Sequence, residues 1–148
     1  MENISTIHSP QLVETTQPFS VINGTYEAPK TQYYGGKRSF LVFKNNKYFT
    51  IPTESIAFFL IRYDTTTLVC FDRQEYFINY SLEQVQHMML QYQFYRLNRQ
   101  YLVSFTAVKE VEHYFARKLL VKLSIPVSEK LLVSKEKATH FLRWLENR

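Results

Sequence analysis

A single cysteine, Cys70, and only three glycines set the first limits on this 148-residue chain. One thiol cannot form an internal disulfide, which fits a reducing compartment. Three glycines compose neither a G-x-G-x-x-G nor a P-loop, so phosphate cradles of those types are excluded. Long hydrophobic runs are missing as well. The longest, Ile56 to Ile61, has six residues, too few to cross a bilayer as a helix. The opening Met-Glu-Asn-Ile lacks the cationic-then-apolar order of a signal peptide. These features predict a cytoplasmic protein with no membrane partner.

Catalytic signatures are equally scarce. His8, His87, His113 and His140 lie far apart and share no metal-ligand spacing with one another or with Cys70. Cys70 stands in an apolar segment, where a core thiol is the expected role. Glu110 and Glu112 alternate in a strand-like segment and are expected to face solvent. No G-x-S-x-G is present. The expectation is a protein that is not an enzyme and needs no cofactor or metal.

What is abundant is aromatic and basic. Eleven Tyr and twelve Phe favour sheet over helical bundle, because flat rings pack well on pleated, half-buried surfaces. Residues 1–36 carry Glu2, Glu14 and Glu27 against Lys30, a net of −2, whereas residues 37–148 hold 17 basic and 10 acidic groups, a net of +7. A basic body behind a mildly acidic start suits a polyanionic partner.

Along the chain, residues 1–36 are rich in Thr, Ser, Gln, Asn and Pro and read as a flexible leader or linker, with a short edge strand possible at 19–22. A domain is expected over 37–148. Ser39 to Phe43 and Lys47 to Ile51 flank Asn45-Asn46 as a hairpin, since Asn tolerates positive φ. The unbroken run Ile56 to Tyr63 predicts a strand buried on both faces. Asp64-Thr65-Thr66-Thr67 is read as a turn, Leu68 to Phe71 as the returning strand, and Glu75 to Tyr80 as a third. Ser81 and Gln84 have capping-box spacing ahead of a short helix with Leu82, Val85 and Met89 inward. Val108–Phe115 and Leu119–Leu123 form a second hairpin around Ala116-Arg117-Lys118, and Leu131–Val133 a last strand. Ser134 then opens a helix with Ala138, Phe141, Leu142 and Leu145 at core spacing and Trp144 beside them. The fold class expected is mostly β: an elongated domain of short antiparallel sheets with one or two short helices.

Three places can carry recognition. In Phe94 to Ser104, the polar group Arg96, Asn98, Arg99 and Gln100 lies between apolar anchors, and Arg and Asn are suited to bidentate reading of guanine and adenine edges. Arg62 to Thr67 offers one cation and three hydroxyls, with Thr65 and Thr66 nearest its tip. Lys135 and Lys137 begin a helix, where free amides already favour an anion. The plainer reading of the first is a solvated loop with Arg96 and Arg99 paired to Glu83, Glu110 or Glu112, and of the third a solvated helix start offset by Glu136.

The order of these motifs resembles the LytTR DNA-binding domain family. Phe94-x-Arg96-Leu-Asn98-Arg99-Gln-Tyr-Leu-Val103-Ser104 is similar to that family's F-x-R-[IV]-[HN]-R-[SQ]-[YF]-[LI]-V-N. Ile56-Ala-Phe58-Phe59, Tyr80-Ser-Leu82-Glu83, Val133-Ser134-Lys135 and Phe141-Leu-Arg-Trp144-Leu145 support it over Arg38 to Arg148. The departures are Ser104 where the family has Asn, and Lys135 where it has Arg, which keeps the charge without the bidentate fork. The resemblance implies a sequence-specific transcription regulator that reads major grooves of double-stranded DNA with loops. Arg62, Thr65, Thr66, Arg96, Asn98, Arg99, Lys135 and Lys137 would be its DNA-binding residues. It further implies paired direct repeats, a second copy on the DNA, and an upstream receiver or sensor. The alternative is a β-rich protein-interaction or ligand-sensing domain that does not bind DNA.

Overall fold

In a computed structural model of the chain, residues 36–147 are described throughout, preceded by the backbones of four three-residue strands. Of these, β1 (Leu12–Glu14) pairs with β4 (Thr31–Tyr33) and β2 (Ser20–Ile22) with β3 (Thr25–Glu27), all antiparallel. The edge strand expected at 19–22 thus pairs with its own neighbour. The remainder of the leader lies outside the described residues.

From Ser39 onward the chain makes β5 (Ser39–Lys44) and β6 (Lys47–Pro52), then β7 (Ile56–Arg62), β8 (Thr65–Cys70), β9 (Glu75–Ile78) and helix α1 (Leu82–Met88). It continues with β10 (Phe94–Arg96), β11 (Tyr101–Ser104), β12 (Val108–His113), β13 (Leu119–Leu123), β14 (Leu131–Val133) and helix α2 (Lys135–Glu146). Asn45 and Asn46 at φ 54° and 64° close the first hairpin, as their chemistry predicts. Ser81 and Gln84 form the reciprocal capping box on α1. Ser134 holds the N-cap position of α2 but gives no side-chain cap.

The central layer is a five-stranded antiparallel sheet in the order β10-β11-β7-β8-β9. Its middle strands are covered on both faces, which is why Ile56 to Leu60 reads as unbroken apolar sequence. Phe59, Leu68 and Leu102 pack with Phe40 and Val42 of the β5–β6 hairpin and Leu82 and Val85 of α1. Phe58, Leu60 and Val103 pack with Val121, Leu131 and Val133 of the three-stranded sheet β12-β13-β14 and with Phe141 of α2. Each fully buried Phe or Leu contributes about 1.5–3 kcal/mol. Cys70 is one of these buried groups, and burial, then Asp72, pushes its thiol pKa up, as befits an inert core residue.

Four local expectations are corrected. The turn predicted at Asp64–Thr67 is only Tyr63-Asp64, at φ 52° and 60°, and the threonines already belong to β8. β-Branched Thr prefers the pleated strand, and the two residues before it absorb the reversal. The strand expected to Tyr80 stops at Ile78 (β9), and the one expected to Phe115 stops at His113 (β12). Leu142 is 44% exposed, because the inward face of α2 centres on Phe141 and turns toward Ala138, Trp144 and Leu145. Trp144 does close the layer: its Nε1 donates to the Gln91 carbonyl at 2.7 Å, and its ring meets Tyr95, Phe105 and Phe141.

Candidate nucleic-acid interface

Strand register decides which loops meet. Tyr101 opposes Leu60, and the Ile61 amide donates to the Gln100 carbonyl at 3.0 Å. Because β7 and β11 are antiparallel neighbours, the Tyr63-Asp64 turn and the 97–100 loop leave the five-stranded sheet at the same end. The start of α2 joins them through Lys137, whose Nζ donates to the Arg96 carbonyl at 2.8 Å. A shallow groove lined by Asn98, Arg99, Leu132, Ser134 and Lys137 runs between loop and helix. Three segments far apart in sequence therefore converge.

Within the loop the roles divide. Arg96 points back into it: Nε donates to the Asn98 carbonyl at 2.7 Å, Nη2 to the Arg99 carbonyl at 2.9 Å, and Nη1 to Gln86 Oε1 of α1 at 3.2 Å. The planar fork spans two successive carbonyls, which an ammonium could not do. Burial lowers the Arg96 pKa, with Glu83 opposing. Asn98 Oδ1 accepts from the amides of Gln100 and Tyr101, at 2.8 and 2.9 Å, an Asx turn that shapes the tip. Arg99, at that tip, is exposed, and among the described residues its side chain has no hydrogen bond or ion pair.

Several sequence-based assignments change accordingly. Arg96 is turned inward as a brace, with each of its three nitrogens donating to the loop carbonyls or Gln86. Asn98 cannot offer the oxygen half of a bidentate adenine contact, since two backbone amides hold it. Thr66 is 6% exposed in β8, opposite Ile61 and Ile78, and does not project from the turn. Thr65 is half-buried, and its hydroxyl donates to the Tyr63 carbonyl at 3.3 Å. Arg62 is exposed but paired with Glu75 at 2.8 Å. Lys137 is half-buried, tied to Arg96 and set 5.6 Å over the Tyr95 ring; burial and then the Arg96 charge lower its pKa. Lys135 stands exposed on the first turn of α2. Among the described residues Arg96 and Arg99 form no ion pair: Glu110 and Glu112 both hold Lys122, and Glu83 acts on Arg96 only through its charge. The brace partner Gln86 and the platform Tyr95 escaped sequence reasoning. Gln86 is one of several polar residues on a short helix, and only the approach of α1 to β10 singles it out.

Residues 46–146 match the family model of the LytTr DNA-binding domain. A solved LytTr DNA-binding domain from Bacillus cereus superposes with a TM-score of 0.64 over 74% of this chain and 98% of its own, at 17% identity. No curated protein matches the sequence. Among the described residues no helix is long and apolar enough to cross a membrane.

Proposed function

The chain belongs to the LytTR family of DNA-binding domains, and from that premise we propose that it is a sequence-specific, DNA-binding transcription regulator of the bacterial cytoplasm. The family is one of DNA binders and not of enzymes. The observation that carries the reading to residues is the convergence of the 63–64 turn, the 97–100 loop and the start of α2. Arg99 reads a base edge, its guanidinium being the free fork at the tip of a braced loop. Asn98 shapes that tip and leaves only its Nδ2 to face a base. Lys135 holds phosphate, and Arg62 with Thr65 flanks the next stretch of backbone once Glu75 is displaced or shared. Arg96 and Lys137 act one step back, by fixing the loop.

Paired direct repeats, a second copy of the chain on the DNA and an upstream receiver or sensor complete the proposal, with residues 1–36 as the linker. A protein-interaction domain that had abandoned DNA would be expected to cover Arg99 with a carboxylate. Here no carboxylate among the described residues pairs with Arg99. Selection of bound sequences from random DNA, followed by gel shifts across a salt series, tests the reading. Arg99→Ala is expected to lose about 1–3 kcal/mol of discrimination at one base position while random DNA is bound nearly as before. Equal losses on selected and random DNA would remove Arg99 as a base reader.

A further inference from the structure

One strained turn, which closes the β12–β13 hairpin, stands beside this interface. The β12–β13 connection passes through Phe115–Arg117, with Ala116 at φ 59°, ψ 30° and Arg117 at φ 61°. Left-handed residues are costly unless they are Gly, Asn or Asp. The same chain uses Asn45-Asn46 in its first hairpin and Asp64 in its second, but also tolerates Tyr63 and Arg73 at positive φ. At 116–117 it keeps Ala and Arg. The conformation holds the Arg117 side chain out at an exposed turn, and what lies beside it suggests its use.

Register shows what that use has at hand. Leu119, directly after the turn, opposes Val133, directly before Ser134 and Lys135. The turn and α2 accordingly approach within 8 Å between Cα atoms. Arg117 is exposed, and among the described residues its side chain has no hydrogen bond or ion pair. Lys118 follows it, its Nζ 5.5 Å from the Phe115 ring, a ring itself 69% exposed. Lys130 adds a third cation, donating to the Tyr114 hydroxyl at 3.1 Å. Glu110 and Glu112, on the same strand as the approach to the turn, share Lys122, which leaves one negative charge against the three cations.

We propose that the 115–118 turn is a fourth contact element, in which Arg117 and Lys118 hold backbone phosphates of the duplex next to the phosphate at Lys135. This rests on the DNA-binding reading and extends it: the turn lengthens the footprint and adds affinity without adding sequence preference. Phosphate contacts position a protein and contribute the salt-dependent part of binding. Arginine with a free planar fork suits such an oxygen pair.

The distinguishing variant is Arg117→Asn with Lys118→Gln. Asn accepts the left-handed conformation more readily than Arg, so the thermal midpoint should hold or rise. Binding should weaken alike on selected and random duplexes, and the plot of log affinity against log salt should become shallower by about 1.8, or about 0.9 per phosphate. Trimming the flanking base pairs from the selected duplex should flatten the wild-type slope toward that of the variant. Arg117→Gly, which the turn also accommodates, repeats the test should the double variant misfold. An unchanged slope in a folded variant, while the wild type binds normally, overturns this proposal and leaves the reading of the main loops standing. A wild-type protein with no salt-dependent affinity for any duplex overturns both.

Discussion

Replacing Arg96 by methionine separates a brace from a phosphate ligand. Methionine keeps most of the stem's bulk and removes all three donors. The bonds to the Asn98 and Arg99 carbonyls are charge-assisted, at 2.7 and 2.9 Å, and each contributes about 1.5–3 kcal/mol. Arg96 is half-buried, so the lower figure applies, which gives about 3 kcal/mol for the two. In a domain of this size that is roughly a 12 °C fall in thermal midpoint, at about 4 °C per kcal/mol. Arg96→Lys can satisfy one carbonyl but not both and should fall between. With the loop loosened, Arg99 is no longer presented, and discrimination between selected and random DNA should shrink. The salt slope should stay as it was, because the guanidinium faces inward. Calorimetry and gel shifts on the same preparations make the comparison. A midpoint left unchanged together with a slope shallower by about 0.9 would mean that Arg96 holds a phosphate and that the brace is wrong.

Two other perturbations follow from the same geometry. Asn98→Asp preserves an oxygen for the Gln100 and Tyr101 amides, so urea unfolding should shift by no more than about 0.5 kcal/mol, while DNA affinity drops because a carboxylate meets phosphates. Asn98→Ala orphans both amides and should cost about 1–3 kcal/mol; an Asp variant as unstable as the Ala one would refute the Asx turn. Tyr101 donates to Glu129 Oε1 at 2.8 Å, and burial, that bond and the Glu129 charge push its pKa well above the ordinary range. A raised folded-state pKa means stability fully present below the unfolded value near 10 and lost as pH climbs past it. Denaturation curves from pH 7 to 11 should therefore fall steeply at the alkaline end for wild type and less so for Tyr101→Phe. The difference shrinks the limb without abolishing it, since Tyr95 and Tyr76 are raised too. Parallel curves for the two proteins would show that this hydroxyl is not the group responsible.

Much of the architecture follows from interactions within a few residues. Asn45-Asn46 sets a tight reversal, Ser81 with Gln84 starts a helix, and an apolar run at 56–60 belongs between two layers, whatever the rest of the chain does. Those preferences are local, and they put both hairpins, the strands from 56 to 78, both helices and the loop at 97–100 in view from the sequence alone, while β10 and β11, read only as apolar anchors, become strands by pairing with each other and with β7. Which side chain in a polar stretch faces outward is a different question. Arg96, Asn98 and Arg99 are near neighbours with similar chemistry, yet only Arg99 is left open. The partners that hold Arg96 come from ten residues upstream, at Gln86, and from 41 residues downstream, where Lys137 closes on its carbonyl. Thr66 looked available as a polar residue near a turn, and is buried because β9 pairs against it. Arg117 and Lys135 are 18 positions apart and become neighbours only because β13 and β14 run antiparallel. The sequence by itself determined the elements and the kinds of side chain at the loops, through rotamer, turn and capping preferences that act at short range. Only the packing of one layer against another decided which of those side chains are spent on the fold and which remain to meet a duplex.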